Sequence, residues 1–302
     1  MSVEATYAER SVGAAVATSK LPARRARARL MSVVLFAATI LALLVLAVLV
    51  WTVVERGWSW VRPELFENRS SRRAERAGLR PAILGTLWVI SLTAAFAIPV
   101  GVLGAIYLEE YAPRTWWTRI LRINIANLAG VPSVVYGLLG LGIFVEWFRL
   151  GRSILSGSLA LGLLILPIVI IASQESLRAV PPSLREAAYG LGATKWQVTR
   201  HHVLPAALPG ILTGTILALS TAMGETAPLL VTGASAFVTF DPNSPFDGYT
   251  ALPVQIYNWT SLPQEEFREL AAAGILVMLA ILFLTNLTAI VLRQRFSRKM
   301  RW

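Results

Sequence analysis

Along the chain, long apolar stretches alternate with short charged ones. Six stretches, near residues 31–54, 82–108, 123–145, 155–173, 207–232 and 270–292, are almost free of charge. Each approaches or exceeds the roughly 20 residues that a helix needs to cross a hydrocarbon core of about 30 Å. The fourth is the shortest and contains Pro167. The third holds Gly130 and Pro132, which bend or interrupt a helix, so neighbouring helices must satisfy the freed backbone groups. Gly137, Gly140 and Gly142 just beyond predict close helix packing. The pattern predicts an all-α polytopic membrane protein of six transmembrane helices over residues 30–292, with a polar loop at 175–205. A disordered basic tail over 1–29 and a basic tail over 293–302 flank it.

Composition agrees. Of 302 residues 55% are hydrophobic and 15% charged, against about 25% charged in ordinary globular domains, and the mean hydropathy is +0.60. The absence of cysteine excludes disulfides, thiol catalysis and cysteine zinc sites. The net charge of +11 sits at span ends, where it sets orientation and contacts anionic headgroups, and not along one face as for nucleic acid. The first apolar run exceeds the 7–15 residues of a signal-peptide core and no small-residue cleavage site closes it, so it reads as a retained anchor.

Arg24, Arg25, Arg27 and Arg29 before the first span predict a cytoplasmic N-terminus, and six spans return the C-terminus to that side. Arg293, Arg295, Arg298, Lys299 and Arg301 agree with this. The loop 233–269, with Asp241, Asp247, Glu265, Glu266 and Glu269 against Arg268, is then external. Segment 55–81 runs against the rule, because its seven arginines outnumber its four glutamates. It lies along outer headgroups or faces an anionic partner; the sequence leaves both open.

Soluble machinery is missing: there is no GxxxxGK[ST], HExxH or GxSxG. His201 and His202 are adjacent and do not share a helix face, so no metal site is expected. Interest falls on the polar loop. Pro181-Pro182-Ser183 offers a helix start with Ser183 as N-cap, Arg185–Tyr189 are good helix formers, and Gly190 and Gly192 supply a corner. A helix resumes at Lys195–Val198. Such a helix, held between two membrane helices, can dock in a partner's groove through Ala187, Ala188 and Leu191, with Arg185 and Lys195 at the rim. The plainer alternative is a connector lying on the membrane surface.

Glu225 is the only acidic or basic residue inside the six span cores. A charge at a helix centre costs roughly 2.5–3.5 kcal/mol on insertion scales and marks a functional candidate. Two roles fit: facing a pathway or a partner's cation, or hydrogen-bonding backbone freed by Gly224 and Pro228 to hold a bend.

The spacing Glu186-Ala187-Ala188, three residues, Gly192, nine residues, position 202, one residue, Leu204-Pro205 resembles the EAA loop of bacterial ABC-importer permeases. It departs at His202, where that family is usually apolar. The resemblance implies the type I importer permease fold, with two permeases working on two ATPases. It also implies coupling to the ATPase through Arg185, Glu186, Ala187, Ala188, Leu191 and Gly192. Two further stretches, Gly130–Gly137 and Gly224–Leu230, resemble segments of the A-type subunit of phosphate-specific transport permeases, and the likeness runs from about residue 80 to 292.

That likeness implies half of the translocation pathway of an ATP-driven phosphate importer in a bacterial inner membrane. The implied partners are a paired C-type permease, a B-type ATPase dimer and an extracytoplasmic phosphate-binding protein. ATP and Mg would belong to the ATPase, with no cofactor or metal held by this chain and no enzyme activity of its own. Glu225, Thr221, Thr226, Ser133 and Tyr136 become the pathway candidates. Some members of the resembled subunit family carry arginine one turn before this glutamate, where this chain has Thr221, and Arg and Glu near the cytoplasmic end of the fourth span, where it has Ile171 and Gln174. The cation facing Glu225 is therefore expected from the paired permease. Importers of sulfate, molybdate or phosphonate are the nearest alternative. A secondary transporter would show inverted repeats with paired broken helices, and the two halves show none.

Overall fold

The computed structural model describes residues 21–235 and 237–298, and all regular structure among them is helical. Helix α1 (Leu21–Gly57) starts earlier than expected: Arg24, Arg25, Arg27 and Arg29 lie on its first turns and not in a disordered tail. Alanine and arginine are strong helix formers, and Pro22 stands at the second helical position, where a missing N–H costs nothing. The rest of the expected tail, residues 1–20, lies outside the described residues. The chain divides into two units, one ending at Glu55 and one beginning at Arg56.

In the second unit, α2 (Arg80–Ile106) continues as a π-helical turn over Tyr107–Tyr111. Helix α3 (Trp116–Leu128) leads to α4 (Ser133–Gly140), which ends in a π-helical segment to Trp147. Next come α5 (Ile154–Arg178), α6 (Pro182–Gly190) and α7 (Lys195–Val198). A π turn over Thr199–Val203 joins α7 to α8 (Leu204–Gly224), followed by α9 (Ala227–Thr232), α10 (Leu252–Ser261) and α11 (Glu265–Arg298).

Among the described residues five helices are long and apolar enough to cross a membrane. A sixth crossing exists only if α3 and the segment Ser133–Trp147, bent by 104°, count as one. The expected third span is therefore broken at Gly130–Pro132. Gly130 and Val131 turn back on Asn127 O and Leu128 O, and Pro132 restarts the chain in extended geometry. The expected fifth span, 207–232, is also two helices: α8 stops at Gly224, and Glu225 is extended (φ −77°, ψ 124°). The fourth and sixth run longer than expected, because Arg178 and Arg298 continue the helices past the apolar core. The basic tail thus starts inside α11, and residues 299–302 lie outside the described residues.

Helices pack where side chains are small. A Cβ on Gly137 would stand 2.9 Å from Pro228 Cα, so α4 and α9 touch almost backbone to backbone. Gly140 likewise sits on Ala160 of α5 and Thr232. Gly142, expected to do the same, has nothing within 4 Å.

The arginine-rich segment 55–81 is folded against the chain itself. Leu65, Ala77 and Leu79 are buried with Leu252, Trp259, Phe267 and Leu270, joining it to α10 and the start of α11. Asp241 takes Arg69 and Arg80 at 2.9 and 3.2 Å, and Trp60 donates to Glu269 at 2.8 Å. This cap stands at the start of α2, the end away from α6.

Candidate coupling and translocation site

The root of α6 is built first from backbone preferences. Pro182 begins the helix with its locked φ, so Pro181, not Ser183, occupies the cap position. Only Gly192 is left-handed at the corner (φ +80°), whereas Gly190 is the last helical residue. Thr194 then opens α7 with a reciprocal cap: its hydroxyl accepts from Gln197 N–H, and Gln197 Oε1 accepts from Thr194 N–H at 2.8 Å.

The faces of α6 sort differently from expectation. Arg185 and Ala188, three residues apart, share the inward face. Ala188 is buried among Leu177, Val180, Val198, Val203 and Ala207, so it packs on the chain's own helices and not in a partner's groove. Arg185 is no rim residue either. Its guanidinium donates to Val180 O at 2.8 Å, Leu177 O at 2.9 Å and Glu110 Oε1 at 2.8 Å. Lys195 stands with its ammonium 5.1 Å from the centre of the Tyr111 ring. The outward face carries Glu186, Ala187 and Leu191, all exposed, with Leu191 90% exposed beside Gly192. His202 is exposed as well, and the apolar packing there comes from Val198 and Val203 instead.

Sequence reasoning missed the other half of this site. Glu109 and Glu110, at the end of α2, gather arginines from three elements. Glu109 binds Arg178 of α5 and Arg122 of α3, each at 2.9 Å, and Arg122 also reaches Leu108 O. Glu110, with a side chain only 8% exposed, binds Arg185. Two adjacent carboxylates closing an apolar span were visible in the sequence, but their partners stand up to 75 residues away. The knot ties α6 to α2 and α5 through charge-assisted bonds.

The pathway candidates do not form one cluster of free groups. Tyr136 is buried, and its hydroxyl donates to Leu128 O at 2.8 Å, a carbonyl released by the break before Pro132. It braces the kink. Thr221 is exposed with its hydroxyl turned back to Leu217 O, and Ser133 and Thr226 are half-buried. Glu225 is half-buried in the break between α8 and α9. Its carboxylate has no hydrogen bond or ion pair among the described residues, so it does not hold the bend through the freed backbone. The two breaks lie near one another, since Tyr136, Ala218 and Ala222 share one buried cluster and Gly137 meets Pro228. A further polar tie, Ser220 Oγ to Asn286 Oδ1 at 2.6 Å, joins α8 to α11 and was not foreseen.

Residues 97–302 match the family described as binding-protein-dependent transport system inner membrane components. The chain belongs to that family. Among similar members, the phosphate transport system permease protein PstA of Pasteurella multocida is 33% identical over 267 residues, covering 88% of this chain and 94% of the relative. The protein PstA 1 of Mycobacterium tuberculosis is 34% identical over 284 residues, covering 92% and 91%. Among solved structures, a bacterial alginate ABC transporter bound to its periplasmic protein matches with a TM-score of 0.65 at 15% identity, over 89% of this chain and 96% of the other. The inward-facing MetNI methionine ABC transporter matches at 0.56 and 16%, over 70% and 94%. These likenesses show the fold, that of an ABC-importer permease. The family match covers the charge knot from Glu109 onward, the coupling segment and both helix breaks; α1 and the arginine-rich cap precede it.

Proposed function

We propose that this chain is one permease subunit of an ATP-driven phosphate importer of a bacterial inner membrane, coupled to a separate ATPase through α6. The substrate reading rests on relatives named as phosphate permeases along nearly their whole length. The coupling reading rests on one observation: α6 is braced at its root by Arg185 while its opposite face, with Leu191, is left bare. An apolar side chain that exposed at a tight corner suits a pocket on a soluble partner. Glu186, Ala187, Leu191 and Gly192 meet the ATPase, whereas Arg185 and Ala188 hold the helix. ATP and Mg belong to that subunit. Both termini are cytoplasmic, consistent with arginines on the first turns of α1 and at the end of α11.

Glu225 faces the paired permease, whose cation balances it, with Thr221, Thr226 and Ser133 beside it. A carboxylate and a phosphate dianion repel one another unless a cation stands with them. An extracytoplasmic phosphate-binding protein delivers substrate at the cap end.

The test is co-expression with the partner subunits, followed by affinity capture and uptake of labelled phosphate. Leu191→Asp is expected to lose the ATPase from the captured complex and abolish uptake. Glu225→Gln is expected to keep the ATPase bound and to change uptake and ATP hydrolysis. Retention of ATPase and uptake in Leu191→Asp would end the coupling reading. Uptake of sulfate in place of phosphate would end the substrate reading.

A further inference from the structure

The segment expected to open the third span has the properties of a different element. Helix α3 has 13 residues, about 20 Å at 1.5 Å per residue, too short to cross without the Ser133–Trp147 segment that follows it. Thr118, Arg122 and Ile125 face the protein, while Trp116, Trp117, Ile120, Leu121, Ile123 and Leu128 are exposed. The two tryptophan rings stack with centroids 4.0 Å apart. Exposed tryptophans beside arginines suit a headgroup layer, and they stand at the start of α3, next to Glu109, while its far end at Leu128 meets Tyr136 inside the bundle.

A cleft of about 440 Å³ opens at the start of this helix, lined by Glu109, Arg114, Thr115, Arg119, Arg122 and Arg178 among others. Four guanidinium groups face one carboxylate there. Both oxygens of Glu109 are already taken by Arg122 and Arg178. Arg114 and Arg119 are exposed and have no ion pair among the described residues. The cleft is a cationic cup, short of anion, next to an apolar aromatic ledge.

We propose that the start of α3 lies in the cytoplasmic headgroup layer and that this cleft holds the phosphate of an anionic phospholipid. Arg114 and Arg119 take the phosphodiester oxygens, and the acyl chains run over Trp116, Trp117 and Ile120. Lipid is favoured over free phosphate because a free anion leaves the exposed apolar ledge uncovered. Arg122 then links the lipid-bound helix to Glu109, giving the coupling knot a fixed point against the membrane. The choice of leaflet rests on the coupling reading of α6, which stands at the same end of α2.

The chain has no cysteine, so Trp117→Cys carries a single bimane reporter when the assembled complex is made with cysteine-free partner subunits. The complex is reconstituted in vesicles of phosphatidylcholine alone or mixed equally with phosphatidylglycerol. The reporter is expected to be quenched by headgroup-linked and shallow quenchers, more strongly in the anionic vesicles. In native mass spectrometry the complex is expected to retain phosphatidylglycerol. Arg114→Ala and Arg119→Ala each lower that retention about fivefold, and the corresponding lysine variants keep most of it. A reporter in bulk water, at mid-bilayer depth or sealed against a partner subunit would overturn the proposal. So would displacement of the lipid by inorganic phosphate with the ledge still wet, which marks a free-anion site. Capture of the ATPase is scored on the same preparation. Its loss with the lipid readouts intact rejects the coupling reading alone, whereas quenching from the leaflet away from the bound ATPase rejects the lipid site.

Discussion

Three acceptors converge on the Arg185 guanidinium, and one of them, Glu110, has a side chain 8% exposed. Arg185→Ala leaves that carboxylate without its cation, a loss expected to cost about 3 kcal/mol, read as a lower unfolding midpoint of the purified complex. Arg185→Lys should recover only part of it, since one ammonium cannot reproduce a fork that reaches two carbonyls and a carboxylate. Full recovery by lysine would mean that charge alone matters there. Tyr136→Phe removes one bond at the kink and is expected to cost about 1 kcal/mol with phosphate uptake retained. Lost uptake at unchanged stability would return Tyr136 to the translocation path. These roles were hidden in the sequence for a simple reason. An EAA loop reads as a surface motif, and only packing separates Arg185 and Ala188, turned inward, from Glu186, Ala187 and Leu191, turned outward.

Between elements, the contact of α4 with α9 depends on a missing side chain. Gly137→Val puts a methine 2.9 Å from the Pro228 Cα, and overpacking of this kind is expected to destabilise by about 1–3 kcal/mol. Gly142→Val, with open space around it, should change the unfolding midpoint of the isolated chain little, within about 0.5 kcal/mol. Equal effects at both positions would show that the contact is not specific. Both breaks were partly legible. Gly130 and Pro132 marked the first; Gly224 and Pro228 flanked the second. Hydropathy nevertheless ran straight through them, because a broken helix in a protein interior stays as apolar as an intact one.

At the scale of the molecule, the two loops at the end away from α6 are joined by Asp241. The hydrogen bond from Arg69 holds the Asp241 carboxyl below its ordinary range, with Arg80 adding to the effect. A lowered folded-state value favours the folded cap above the unfolded carboxylate pKa of about 3.9. That contribution is lost as pH falls through the folded value. Protease resistance of segment 55–81 is therefore expected to fall below about pH 4. It should fall with added salt too, since both arginines are half exposed. Asp241→Asn should remove the acid-dependent step, and its persistence in that variant would place it at another carboxylate. The pairing also gives two of the seven arginines of this segment, Arg69 and Arg80, an acidic partner in the loop beyond α9.

Taken alone, the order of residues determined the class of protein, the approximate position of each apolar element and the polar segment between the fourth and fifth of them. Those features depend on local composition and fixed spacing, which any stretch of chain carries with it. The tertiary structure decided which helices are broken, which face of α6 is free, and that Glu110 ties α6, and Glu109 ties α3 and α5, to the end of α2. Such pairings join residues tens of positions apart, and geometry of that kind exists only once the helices have met.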